Sequence, residues 1–231
     1  MKSRLLGAVC ANVFILCIST SASAALVTYN ARPDFETAIS AFTSATVDFD
    51  SASVGDTIPS GGTFDGITFT YSLTDLAGDP LTMVVDGFFD TTSPPNYLAL
   101  QTLGGDFVNF VTGDTFSMAF SQPVNAIGLS IIANDVLLLG DSFSLTVGGL
   151  GAIISAPLAP SATLTDGGQV YFLGVTSDLA FTSAVFGSNG SGLEFALDDI
   201  THAAVPLPPA IWLLASGLGF FGLMARRKVN S

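Results

Sequence analysis

Alternation of apolar and polar residues over runs of five is what most limits this chain's folding choices. Ile67-Thr68-Phe69-Thr70-Tyr71, Phe116-Ser117-Met118-Ala119-Phe120 and Phe143-Ser144-Leu145-Thr146-Val147 each place every second side chain on one face. That period suits a half-buried strand and cannot form the continuous stripe of a helix. Ile127, Leu129 and Ile131 continue the pattern beyond a turn expected at Gln122-Pro123, and Val170 to Val175 is apolar throughout, as in a buried central strand. Gly, Asp, Ser and Pro separate these runs, with Gly61-Gly62, Gly104-Gly105, Gly148-Gly149 and Gly167-Gly168 placed as turns. One stretch reads as a short N-terminal helix. Pro33 opens it, Asp34 and Glu36 occupy its first turn, and Phe35, Ile39 and Phe42 recur at helical spacing. About a dozen short strands at this spacing predict an all-β fold, a jelly-roll-like antiparallel β-sandwich, over residues 25–204.

Both ends differ from that middle. Lys2 and Arg4 precede an apolar run from Leu5 to Ile18, and Ala22-Ser23-Ala24 offers the small residues a signal peptidase needs. Residues 1–24 therefore read as a signal peptide cut after Ala24. At the other end Val205, Pro206, Leu207 and Pro208 open residues 205–231. The uncharged stretch 207–225 would span roughly 28 Å as a helix, near a bilayer's hydrocarbon thickness. Arg226, Arg227 and Lys228 close it and would stay cytoplasmic, leaving the domain outside. The prolines keep the approach extended.

Once both ends are set aside, the composition narrows the chemistry. Cys10 and Cys17 lie in the signal peptide, so the remaining domain has no disulfide or thiolate available. All nineteen acids fall between Asp34 and Asp199, against one base, Arg32, a formal charge of −18. Such a field repels nucleic acid and anionic lipid headgroups and leaves solvent or metal cations to balance it. The only histidine, His202, reads as a surface residue close to the tail.

The tail Val205-Pro206-Leu207-Pro208, Trp212-Leu213-Leu214, Ser216-Gly217-Leu218-Gly219 and Ala225-Arg226-Arg227-Lys228 resembles a PEP-CTERM sorting signal, with Pro-Leu-Pro in place of Pro-Glu-Pro. The resemblance implies export across the inner membrane of a Gram-negative bacterium and transient anchoring. An exosortase would then cut near Pro206–Pro209 and leave the protein at the cell surface or in the extracellular matrix. Within the domain, Thr46-Val47-Asp48-Phe49-Asp50, Phe120-Ser121-Gln122-Pro123-Val124 and Leu197-Asp198-Asp199-Ile200 resemble opening, middle-hairpin and closing segments of exported PEP-CTERM proteins.

The closing segment carries the candidate chemistry. Leu193, Phe195 and Leu197 point inward by alternation, Glu194 and Ala196 outward, and Ile200 falls on the wrong parity unless a β-bulge at Asp198–Asp199 restores it. Asp48 and Asp50 share one face of the first long strand, with Phe49 on the other. By analogy with jelly-roll carbohydrate-binding modules, Asp48 or Asp50 and Asp198 or Asp199 would hold a calcium ion between first and last strands. The plainer reading has one aspartate capping a turn and the others solvated. Tyr71 and Tyr171 look core-directed, and Tyr97, following Ser93-Pro94-Pro95-Asn96, is the loop tyrosine expected to contact sugar. Two carboxylates suffice for glycoside hydrolysis, but Trp212, the only tryptophan, lies in the tail. The chain therefore reads as a non-enzymatic component of an exopolysaccharide matrix or biofilm. A calcium-stabilised carbohydrate-binding module is the alternative, and a carboxylate glycosidase a remote one.

Overall fold

The structure, a computed structural model, describes residues 25–155, 159–190 and 192–206. The expected signal peptide 1–24 and the tail from Leu207 onward, including Pro208, the span 207–225 and Arg226, Arg227 and Lys228, lie outside the described residues. Among the described residues no helix is long and apolar enough to cross a membrane.

The chain is mostly β, with one short helix on a large antiparallel sheet. In order the elements are β1 (Leu26–Tyr29), α1 (Arg32–Ala38), β2 (Thr43–Val47), β3 (Thr57–Ile58), β4 (Thr63–Phe64), β5 (Ile67–Tyr71), β6 (Thr82–Asp86) and β7 (Tyr97–Gln101). There follow β8 (Phe107–Val108), β9 (Phe110–Val111), β10 (Thr115–Ala133), β11 (Ser142–Val147), β12 (Leu150–Ser155), β13 (Ala162–Thr163), β14 (Gln169–Asn189) and β15 (Glu194–Ala204). The main path runs β12-β11-β14-β10-β15-β7-β6-β3, with shorter strands attached at its flanks. Gly148 and Gly149, both at positive φ, form the two-residue turn joining β11 to β12.

Two long strands organise this sheet, and each has two characters. In the first half of β10, Phe116, Met118 and Phe120 face inward while alternate residues are exposed or half-buried, as the sequence pattern requires. This half pairs with β5 on one side and the second half of β14 on the other. From Ala126 to Ala133 every residue is buried, and the partners become β15 and the first half of β14. The turn expected at Gln122-Pro123 does not form. The strand runs through it, with register shifts on either side of Val124, and the exposed Pro123 sits where the ladder is already interrupted. Proline lacks the donor a regular ladder needs, so an irregularity serves it as well as a turn does.

Burial on both faces of this region has a physical cause. Ile127, Leu129 and Ile131 enter the main core, where Phe110, Phe116, Phe143, Phe186 and Phe195 pack ring against ring at centroid distances of 5.0–6.1 Å. The opposite face is covered by α1. Phe35, with Ile39, packs against Ala126, Phe172 and Ala203. Gly128 and Gly174 are cross-strand partners beneath it. A β-carbon at Gly128 would stand 2.9 Å from the Phe35 ring and 2.6 Å from Phe172, and one at Gly174 would stand 2.8 Å from each. Only glycine leaves room for the helix at that height.

The closing strand contains the expected bulge. Gly128 pairs with Thr201 and Ser130 with Asp198, so the single residue Leu129 faces two, Asp199 and Ile200. Asp199 takes a positive φ of 51°, and Ile200 is turned into the core at 0 % exposure beside Leu197 and Phe195. Ala196, expected outward, lies on the other face but is buried there against Val84, Tyr97 and Ala99.

Ile200→Ala is expected to cost about 2–5 kcal/mol, because it empties a closed site, whereas an exposed isoleucine would cost only about half a kcal/mol. Urea unfolding of wild type and variant measures the difference, and a shift below about half a kcal/mol contradicts the bulge geometry.

Candidate functional site

The bulge places two adjacent carboxylates in the interior. Asp198 is fully buried and Asp199 nearly so, which would be costly without compensation. One carboxylate oxygen of Asp198 accepts from Thr91 Oγ1, from Thr92 Oγ1 (2.9 Å), from the Ser93 amide (3.0 Å) and from Ser93 Oγ (3.0 Å). Its other oxygen accepts the Asp199 amide at 2.7 Å. Asp199 accepts from Thr92 Oγ1 at 2.7 Å and pairs with Arg32 Nη1. Arg32 Nε meanwhile bonds Glu36 at 2.7 Å, one helical turn on. Burial works against the guanidinium's charge, yet its bonds to Glu36 and Asp199 hold its pKa above the ordinary value. The domain's only cation is therefore committed to the bulge.

Asp48 and Asp50 are arranged differently from the strand-based expectation. Strand β2 ends at Val47, and Phe49 takes a positive φ of 62° to reach the core, which breaks the alternation. The segment becomes a turn in which the Asp50 amide donates to Asp48 Oδ1 at 3.1 Å. Asp50 Oδ1 accepts the Asn96 amide at 3.0 Å, while Asn96 Nδ2 donates to the Phe49 and Ala52 carbonyls. The two aspartate pairs thus hold opposite ends of one loop, residues 91–96, and do not meet around a common point. No group of three or more His, Cys, Asp or Glu able to hold a metal occurs among the described residues.

Tyr97 lies in a strand and not in the expected loop. It is 1 % exposed, opens β7 opposite Asp86, donates to Asp86 Oδ2 at 2.9 Å, and borders the second of the two clefts described below from within the sheet. Burial, with the neighbouring Asp86 carboxylate, pushes its pKa far up. Of the other tyrosines, Tyr171 is buried as expected and Tyr71 is half-buried. His202 also departs from expectation. Its ring lies 5.5 Å from that of Phe120, its Nε2 is buried without a hydrogen-bond partner among the described residues, and burial lowers its pKa.

What Tyr97 supports is more open. Above it the chain makes the loop Gly87-Phe88-Phe89-Asp90, in which Phe88 is 82 % and Phe89 48 % exposed, their rings edge to face at 4.9 Å. On one side lies a cleft of about 530 Å³ lined by Val54, Phe88, Phe89, Phe107 and Asn109. On the other is a second cleft of about 290 Å³, lined by Asp90, Asn134, Asp166 and Glu194 and sharing Phe89 and Asn109 with the first. The loop is fixed along its length. Asp86 Oδ1 accepts the Gly87 amide at 2.7 Å, Asp166 accepts the Asp90 amide at 2.9 Å, and Thr165 Oγ1 donates to Asp90. Thr91, Thr92 and Ser93 are the donors already described on Asp198.

Sequence reasoning passed over these cleft residues. A usable signal was present: two consecutive phenylalanines between Gly87 and Asp90, in a turn-rich stretch with no alternation to bury them. The site is thus an acidic, aromatic-rimmed cleft on an antiparallel β protein, braced from below by a buried carboxylate pair. No protein-family model matches the chain, and no curated protein matches it.

Burial, and next the charge of Asp199, raise the Asp198 pKa from 3.8 to about 6, against the opposing donors Thr91, Ser93 and Thr92. The folded state therefore holds this proton more tightly than the unfolded chain does. The stabilisation is complete below the unfolded value of 3.8 and is lost as pH rises through about 6. A shift of that size corresponds to about 3 kcal/mol. Denaturant midpoints taken between pH 4 and 7 are expected to carry this component in wild type and to lose it in Asp198→Asn. An unchanged slope in the variant would show that other groups set it.

Proposed function

We propose that this chain is an exported, non-enzymatic protein of a Gram-negative bacterium's surface or extracellular matrix, associated with exopolysaccharide or biofilm. Signal peptidase removes residues 1–24, and an exosortase reads the segment beginning at Val205 and Pro206. The observation that carries the reading is where the sheet ends. Strand β15 stops at Ala204, and the Val205 amide donates to Asn125 Oδ1 at 3.2 Å, tying the exit point to β10. Among the described residues every member of the main core precedes that point, so a cut near Pro206–Pro209 takes none of them. The finer architecture belongs to the same reading: β10 and β14, each changing partners midway, serve both layers of a jelly-roll-like sandwich around one core.

A binding role is favoured over hydrolysis by what the cleft carboxylates already do. Asp86, Asp90 and Asp166 accept bonds from the loops they hold, which makes them scaffolding for a surface. Calcium enters as a counter-ion of the acidic exterior, since the oxygens of Asp198 and Asp199 are engaged by hydroxyls, amides and Arg32.

In an exosortase-bearing host, intact-mass measurement of the surface-located protein is expected to show a chain lacking everything beyond about Pro209. Retention of Arg226, Arg227 and Lys228 on that material overturns the sorting reading and leaves a simple anchor.

Millimolar calcium is expected to raise Tm relative to chelator, because an ion bound only by the folded state stabilises it by mass action. The rise should be equal in wild type and Asp199→Asn. Loss of the calcium effect in the variant would place the ion at the bulge.

A further inference from the structure

We propose that the paired clefts around Phe89 and Asn109 bind a neutral polysaccharide chain, a reading that rests on the matrix assignment and names its ligand class. Exposed aromatic carbon comes first. Phe88, Phe89 and Phe107 are 82 %, 48 % and 43 % exposed and border one cleft, a concentration of apolar surface that marks a contact site on a soluble protein. These rings are not exposed by slackness. The loop bearing Phe88 and Phe89 is tied through Asp86, Asp90 and Asp198, so their position is set before any ligand arrives.

The polar complement comes next. Asn109, half-buried and common to both clefts, makes no side-chain hydrogen bond to any described residue. Its carboxamide offers a donor and an acceptor to whatever lies there. Asn134 and Glu194 continue the polar wall, joined by one long contact of 3.5 Å. A few convergent polar groups within an aromatic cleft make a small-ligand site of ordinary size, since such sites run from about 300 to 1,000 Å³. Two such cavities meeting at shared residues fit an elongated ligand better than a compact one.

Charge selects among elongated ligands. Asp90, Asp166 and Glu194 line the second cleft, and the domain's only cation is held at Asp199. Uronate-rich polymers, phosphate polymers and nucleic acid are repelled, whereas sugar hydroxyls donate to carboxylates and accept from Asn109 and Asn134. The C–H faces of pyranose rings suit the negative faces of the phenylalanines. A second copy of the domain is disfavoured, because residues 25–204 of each carry the same formal −18, with Arg32 their one Lys or Arg. A protein partner would call for an apolar centre depleted of charge, and here Asp90, Asp166 and Glu194 line the cleft that shares Phe89.

The test uses the exported protein on a glycan array carrying neutral hexose oligosaccharides beside uronate oligosaccharides, followed by calorimetry with the best neutral hit. Wild type is expected to bind neutral chains and not uronates. Phe88→Ala and Asn109→Ala should each weaken binding at least tenfold with Tm unchanged, since neither side chain is part of the core. Failure of wild type to bind any neutral glycan overturns the proposal, as does equal binding of uronates or undiminished binding by both variants. Dimerisation abolished by Phe88→Ala also overturns it and assigns the surface to self-association. The mass measurement on the tail separates the two readings: a cut tail without glycan binding removes the cleft assignment alone. Glycan binding by a protein that keeps its tail removes the sorting assignment alone.

Discussion

Much of this molecule depends on one ring resting on two missing side chains. Phe35 occupies the space where β-carbons at Gly128 and Gly174 would stand, and that seat fixes how closely α1 approaches the sheet. The helix has seven residues and no side-chain cap, so it has little stability of its own and is held by packing. Its height then sets the reach of Arg32, at the helix start, to Asp199. From Asp199 the chain of dependence passes to Asp198, to the three hydroxyl residues at 91–93, and so to the loop that presents Phe88 and Phe89. A crowding change under the helix would therefore be felt on the far side of β15.

The bulge is a balance of opposed terms. Inserting one residue brings Ile200 into the core but forces two carboxylates inward with it. Each then needs donors. The sheet supplies one, the Asp199 amide freed by the bulge. A loop rich in Thr and Ser supplies the others, and Arg32 adds the positive charge. Removing all of these donors would leave buried carboxylates unmatched, which costs more than the bonds themselves were worth. This explains why a loop carrying large exposed rings can be as well anchored as a strand.

Local patterns in the sequence carried much of this fold. Alternation in β5, β11 and the first half of β10 matches burial at every apolar position but Tyr71, which is half-buried, and the wrong parity of Ile200 was enough to locate the bulge. Helical spacing placed Phe35 and Ile39 correctly. What stayed hidden depends on non-local partners. Pro123 reads as a turn because nothing nearby reveals that β10 changes neighbours there. Phe49 reads as strand because its left-handed backbone is stabilised by Asn96, forty-seven positions away. Tyr97 follows two prolines and looks like loop, yet a cross-strand aspartate, Asp86, makes it the first residue of β7. The partners of the candidate aspartates are hydroxyls, backbone amides and one arginine. Those partners carry no recognisable spacing.

The strand that leads to the tail lies inside the sheet. Strand β15 is bonded to β10 along one side and to β2, β7 and β9 along the other. A pull applied to the chain beyond Ala204 would act along that strand's axis. The ladders on both sides would then share the load in shear, with many hydrogen bonds strained together. A terminal strand at a sheet edge would instead peel away one bond at a time. The last described strand is thus one that resists extraction from both sides.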